Sequence, residues 1–195
     1  MPFAALWRAR AAILTIGATY VLSVAIGIAM ATGGNAFALE RRDSIVGAAQ
    51  SSDILIAERG GDHLRAALLD FGANLGLGAV TSTLIGISVV GAYPEVAYRG
   101  WVGGIVSADA RHQSRLGDPG RAFYYLVTLV LQLIPYSIAG GMGVYLGVGA
   151  WRALRVHRDD LWLGLPKDRL RDVASAYAIV TPLFLVASTW EFFAG

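Results

Sequence analysis

The stretch AAILTIGATYVLSVAIGIAMA, residues 11–31, contains no charged side chain, and its reading decides the fold. A hydrocarbon layer about 30 Å thick needs about 20 apolar residues at a rise of about 1.5 Å each. This run meets that demand, and so do residues 66–92, 122–150 and 172–193. The expected fold is therefore all-α, a polytopic membrane helix bundle in one domain over residues 1–195. The composition agrees: 55% hydrophobic, 15% charged, 24 glycines among 195 residues, and a mean hydropathy of +0.54. Soluble domains carry roughly 25% charged residues.

The chain has no cysteine, which excludes disulfides, thiolate catalysis, iron–sulfur clusters and cysteine zinc sites. The formal net charge is only +2, and the arginines sit in short stretches between apolar runs, so the pI of 9.1 does not point to nucleic acid. His63, His112 and His157 stand alone, without the i, i+4 partners or flanking carboxylates of a zinc helix. Ser137 lacks a G-x-S-x-G context, and the glycines of residues 140–149 follow no strand and precede no GK[ST]. No metal, no cofactor and no enzymatic activity are expected.

At the N-terminus, Arg8 and Arg10 precede the first run, and Ala29-Met30-Ala31 has the small-residue form of a cleavage site. A signal h-region is about 7 to 15 residues long, and this run is longer, so a retained first helix with its N-terminus inside is expected. Residues 36–63, including FALERRDSIVGAAQSSDILIAERGGDHL at 37–64, are amphipathic and too polar to cross. An interfacial helix and an ordered capping loop both fit this segment.

Small residues form rows at a spacing of four: Ser23 and Gly27 with Ala31, then Gly78, Ser82 and Gly86, then Gly143 and Gly147 after Ala139. Helices in lipid associate by close backbone approach, which such rows permit, so these residues are expected at helix contacts. Asp70, Asn74, Gln132 and Glu191 are the polar candidates inside spans. His63, Asp70, Asn74 and Thr81 step by seven, four and seven, which places a polar stripe on one helix face toward protein or water. Asp70 is expected to find Arg65, Arg121 or a backbone donor nearby.

Residues 95–108 are short for a crossing and hold Gly100, Gly103 and Gly104. A short crossing and a re-entrant hairpin both remain open. If the piece crosses, nine basic residues fall inside and seven outside; if it turns back and the next run also returns, the division is twelve and four. Five crossings are the expectation, with residues 122–150 kinked or broken at Pro135. All five tryptophans lie near helix ends, the headgroup level preferred by amphipathic rings. The most charged part of the chain follows Trp151, and Arg152, Arg155, Arg158, Lys167 and Arg169 there are candidates for a soluble partner or anionic lipid.

The order FGANLGLGAVTSTLIGISVVGA (71–92), YRGWVGG (98–104), LIPYSIAGGMGVYLGVGA (133–150) and LVASTWEFF (185–193) resembles the stage II sporulation protein M family of integral membrane proteins. The likeness runs over about residues 64–193. Asn74, Gly100, Gly103 or Gly104, Pro135, Gly143, Ala187 and Glu191 stand at the family's motif places. Tyr136 replaces its His, Ser137 its Gly, Gly140 its Glu, and Arg99 the Asn before Gly100. The resemblance implies a non-enzymatic membrane scaffold or accessory subunit of a larger complex, its namesake belonging to a cell-wall remodelling assembly. A second expectation is the membrane-spanning subunit of an exporter coupled to a separate ATPase. Expected partners are other membrane proteins, in a hetero-complex or homo-oligomer, and lipids. The expected location is a bacterial-type cytoplasmic membrane.

Overall fold

The computed structural model describes residues 1–156 and 160–194. Helix α1 (Pro2–Thr32) is the first long rod. A second rod runs from His63 to Gly86 as α4 (His63–Gly72), a π-helical stretch (Ala73–Val80) and α5 (Thr81–Gly86). Helix α7 (Pro119–Val156) and helix α8 (Lys167–Phe193) complete a set of four helices long and apolar enough to cross a membrane. Between the first two rods lie α2 (Ala36–Ala49) and α3 (Asp53–Arg59), capped by the side chains of Asn35 and Ser52, so the amphipathic segment is helical. Helix α7 is continuous through Pro135, neither broken nor divided into a pair.

The second span ends earlier than its hydropathy suggests, because residues 87–91 form a tight turn and α6 (Ala92–Ile105) starts beyond it. Pro94 does not mark the break. It sits in the first turn of α6, where its missing N–H needs no partner. Helix α6 is a single helix rather than a hairpin, and it runs parallel to α1. Tyr93 lies 3.3 Å from the Thr15 hydroxyl, and Trp101 reaches Met30 near the far end of α1. Residues 106–118 thus arrive beside α2, where the buried Arg42 donates to the Ala108 carbonyl at 3.2 Å.

One end of the bundle therefore holds the N-terminus, the 87–91 turn and the α7–α8 connection. The other end holds α2, α3, the 106–118 loop and the end of α8, where His63 meets the Phe193 ring. Within the α7–α8 connection, β1 (Leu161–Trp162) and β2 (Leu165–Pro166) form a small antiparallel hairpin. Its two-residue turn places Leu163 and Gly164 at positive φ, the backbone that a right-twisted hairpin demands.

The core is built from small side chains and a few large ones. Phe184, Ile16 and Met142 are fully buried, and Phe184 meets the Tyr136 ring edge-on with centroids 4.8 Å apart. The small-residue rows lie where rods touch. A Cβ on Gly143 would abut the Thr83 carbonyl oxygen and lie 2.9 Å from Gly86 Cα, while one on Gly27 would lie 2.9 Å from Gly104 Cα. Ser23 packs at Gly100, Gly147 at the Ile87 backbone and Gly78 at the Tyr136 ring. These rows are occupied within the chain, so close backbone approach assembles the bundle itself.

Candidate functional site

The site begins with the second rod. Positions four apart drift steadily round an α-helix, whereas a π turn holds more residues and lets the same row drift back. The π stretch from Ala73 to Val80 consequently keeps Asp70, Asn74, Gly78 and Ser82 on the face turned toward α6, α7 and α8. Alternating the two helix forms straightens a polar row.

On that face a chain of side-chain hydrogen bonds crosses the bundle. Ser188 on α8 donates to Asp70 Oδ2 at 2.7 Å, and Asn74 Nδ2 donates to the same oxygen at 2.8 Å. Tyr136 on α7 donates to Asn74 Oδ1 at 2.7 Å. Arg99 on α6 stands 4.9 Å from the Tyr136 ring centroid, with one guanidinium nitrogen 3.4 Å from the hydroxyl. Arg99 pairs with Glu95 one turn away, and Ser82 donates to both Glu95 oxygens at 3.2 Å, which returns the chain to the second rod. Each charged or polar head in this seam has a partner supplied by a different helix or by the adjacent turn. That is the condition under which ionisable groups survive in apolar surroundings.

Beside the seam lies a cleft of about 530 Å³ between α6, the π stretch and α7. Glu95, Arg99, Asn74 and Tyr136 form its polar wall, Tyr20 and Gln132 add further polar groups, and it reaches the surface at Tyr98, which is about half exposed. Gln132 Oε1 is buried with no partner among the described residues, while the Gln132 side chain also reaches Glu191. The cleft therefore presents one cation and one anion, Arg99 and Glu95, while the Gln132 oxygen is sealed from solvent. It can hold a polar or zwitterionic group by several directed hydrogen bonds.

Several expectations need correction. Asp70 is bonded to Ser188 and Asn74, not to Arg65 or Arg121, because its side chain points to the α8 interface while those arginines sit at the end of the bundle. His63 is exposed at that same end and Thr81 does not join the seam, so the row uses Ser82 in place of Thr81. Arg169 is not a free loop cation. It donates to the Tyr145 carbonyl and lies over the Tyr145 ring at 4.1 Å, held against Gly149. Arg152, Arg155 and Lys167 are exposed, and Arg158 lies outside the described residues.

Glu95, Arg99, Tyr136 and Ser188 are absent from the sequence-based candidates. Opposite charges at i and i+4 within an otherwise apolar piece were a usable signal for the first two, since such a pair neutralises itself only on a helix. Tyr136 and Ser188 gave no such signal, because their partners are at least 62 residues away in the chain.

At the N-terminal end a second cluster ties three helices. Asp172 on α8 accepts Arg8 Nε at 2.8 Å and the Tyr145 hydroxyl at 3.1 Å. No group of three or more histidines and carboxylates fit to hold a metal exists among the described residues. Comparison with protein families, with curated proteins and with solved structures gives no match.

Proposed function

We propose that the chain is a non-enzymatic integral membrane subunit of a larger membrane complex, and that it engages a partner through the Glu95–Arg99 cleft. The observation that carries this reading is the cleft beside an already satisfied seam. A hydrogen-bonded seam fixes helix register by itself, whereas an open volume of about 530 Å³ beside the Glu95–Arg99 pair serves no packing purpose. A neighbouring transmembrane helix bearing one polar side chain would fill that volume and bond to the Glu95–Arg99 pair. The glycine rows, spent inside the bundle, leave the cleft as the recognition element. Asn74, Arg99, Tyr136 and Glu191, positions at which the chain resembles or departs from the stage II sporulation protein M motifs, surround or adjoin this same cleft. That concentration adds support.

The same proposal puts the bundle in a bacterial-type cytoplasmic membrane with the N-terminal end inside, a choice supported by the basic residues from Arg152 to Arg171. A second reading, the membrane-spanning subunit of an exporter with a separate ATPase, draws on α7. At 38 residues it is about 57 Å long, more than a hydrocarbon layer of about 30 Å needs.

A photo-crosslinking residue at Val102, inside the cleft, tests the main reading in living cells, with the lipid-facing Leu77 as control. A membrane protein captured from Val102 and lost in Glu95→Gln is the expected result. Capture of a nucleotide-binding subunit in gentle detergent would favour the exporter. Equal capture from both positions would defeat the cleft as the recognition element.

A further inference from the structure

At the N-terminal end of the bundle, a second cleft of about 570 Å³ runs between the 87–91 turn and the last turns of α7. Its walls are apolar, formed by Ile87, Val89, Val90, Val148, Ala150 and Leu154, and its rim carries Trp151, Arg152 and Arg155. The Arg155 guanidinium lies 4.1 Å from the Trp151 ring centroid. Among the described residues, neither Arg152 nor Arg155 has a carboxylate at ion-pair distance. By contrast Arg8, Arg42 and Arg99 are all paired. The wall is also strained. Val89 has φ 63°, and Val90 N–H bonds back to the Ser88 carbonyl at 2.7 Å, a tight three-residue turn that a β-branched residue rarely adopts. Strain of this kind concentrates where a surface is shaped for a ligand.

We propose that this cleft binds one anionic phospholipid, with an acyl chain along the apolar wall and the phosphate on Arg152 and Arg155. The chemistry selects that occupant. Two guanidiniums without a carboxylate partner among the described residues match a phosphate in bidentate fashion, the indole sits at the headgroup level, and the apolar wall suits a hydrocarbon chain rather than a soluble anion. Hydrocarbon and phosphate joined in one molecule are what a membrane leaflet supplies. The site requires that the bundle lie in a bilayer and shares no lining residue with the partner cleft.

The test is native mass spectrometry of the full chain released from micelles doped with phosphatidylglycerol, with phosphatidylcholine, or containing inorganic phosphate alone. One retained phosphatidylglycerol per chain is expected, with phosphatidylcholine at background. Arg152→Gln with Arg155→Gln should weaken retention about thirtyfold. Ala150→Phe, which fills the apolar wall and keeps both arginines, should abolish it. Equal retention of the two lipids, parent-level retention in the double variant, or displacement of the lipid by inorganic phosphate would each overturn the proposal. Loss of the partner crosslink at Val102 with the lipid adduct intact would count against the partner reading alone.

Discussion

Replacing Gly143 by alanine probes a close backbone contact between α5 and α7. The added methyl would meet backbone on both sides, the Thr83 carbonyl oxygen and Gly86 Cα at 2.9 Å, and backbone cannot rotate aside as a side chain does. The two rods must separate locally, and overpacking of this kind costs about 2–3 kcal/mol. The Thr83 hydroxyl bond to the Ala139 carbonyl, 2.9 Å long and one turn away, stretches with it, adding about 0.6 kcal/mol for an interhelical hydrogen bond. Alanine's higher helix propensity offsets up to about 1 kcal/mol. The net expectation is a loss of about 2 kcal/mol, a factor of roughly 30 in the unfolding equilibrium. Gly72, in the same rod pair with nothing within 4 Å of an added Cβ, is the control and should be neutral or slightly stabilised as alanine. Reversible unfolding of the purified chain in mixed micelles, with increasing dodecyl sulfate, measures both. If the two variants agree within about 0.5 kcal/mol, the ordinary scatter of harmless substitutions, the close-approach argument is wrong.

Two further expectations concern the end of the bundle that carries α2. The Asp43 carboxyl is held below the usual carboxylate range by the hydrogen bond from Arg42 and then by His112, so its contribution is present above the ordinary value and disappears as pH falls through the depressed one. Protection from hydrogen exchange in α2 and the 106–118 loop, taken relative to the intrinsic rate at each pH, should therefore fall on acidification below about pH 4, and Asp43→Asn should remove the dependence; unchanged protection down to pH 3 would contradict it. Reporter fusions at Gln113 and Leu163 should report opposite compartments, Leu163 inside, because α6 delivers the 106–118 loop beside α2. A common compartment for both would contradict the path of α6.

Hydropathy alone determined that residues 11–31, 122–150 and 172–193 are helices, since a run long enough to cross a bilayer can satisfy its backbone only internally. Spacing alone also placed Gly78, Gly86, Gly143 and Gly147 at contacts, because a row of small residues is a property of one helix read in isolation. Other features needed the tertiary structure. That residues 92–105 form one helix lying along α1, through Gly100 and Gly104, was decided by where α6 finds its neighbour, and no count of charges contains that pairing. The π stretch from Ala73 to Val80 left no trace in composition, yet it decides that Ser82 rather than Thr81 joins Asp70 and Asn74. Tyr136 and Ser188 became members of the seam only when α7 and α8 brought them to Asn74 and Asp70. A sequence records which groups must be satisfied in an apolar interior. Which distant group satisfies each is fixed when the helices pack, because a side-chain hydrogen bond forms only within about 3 Å.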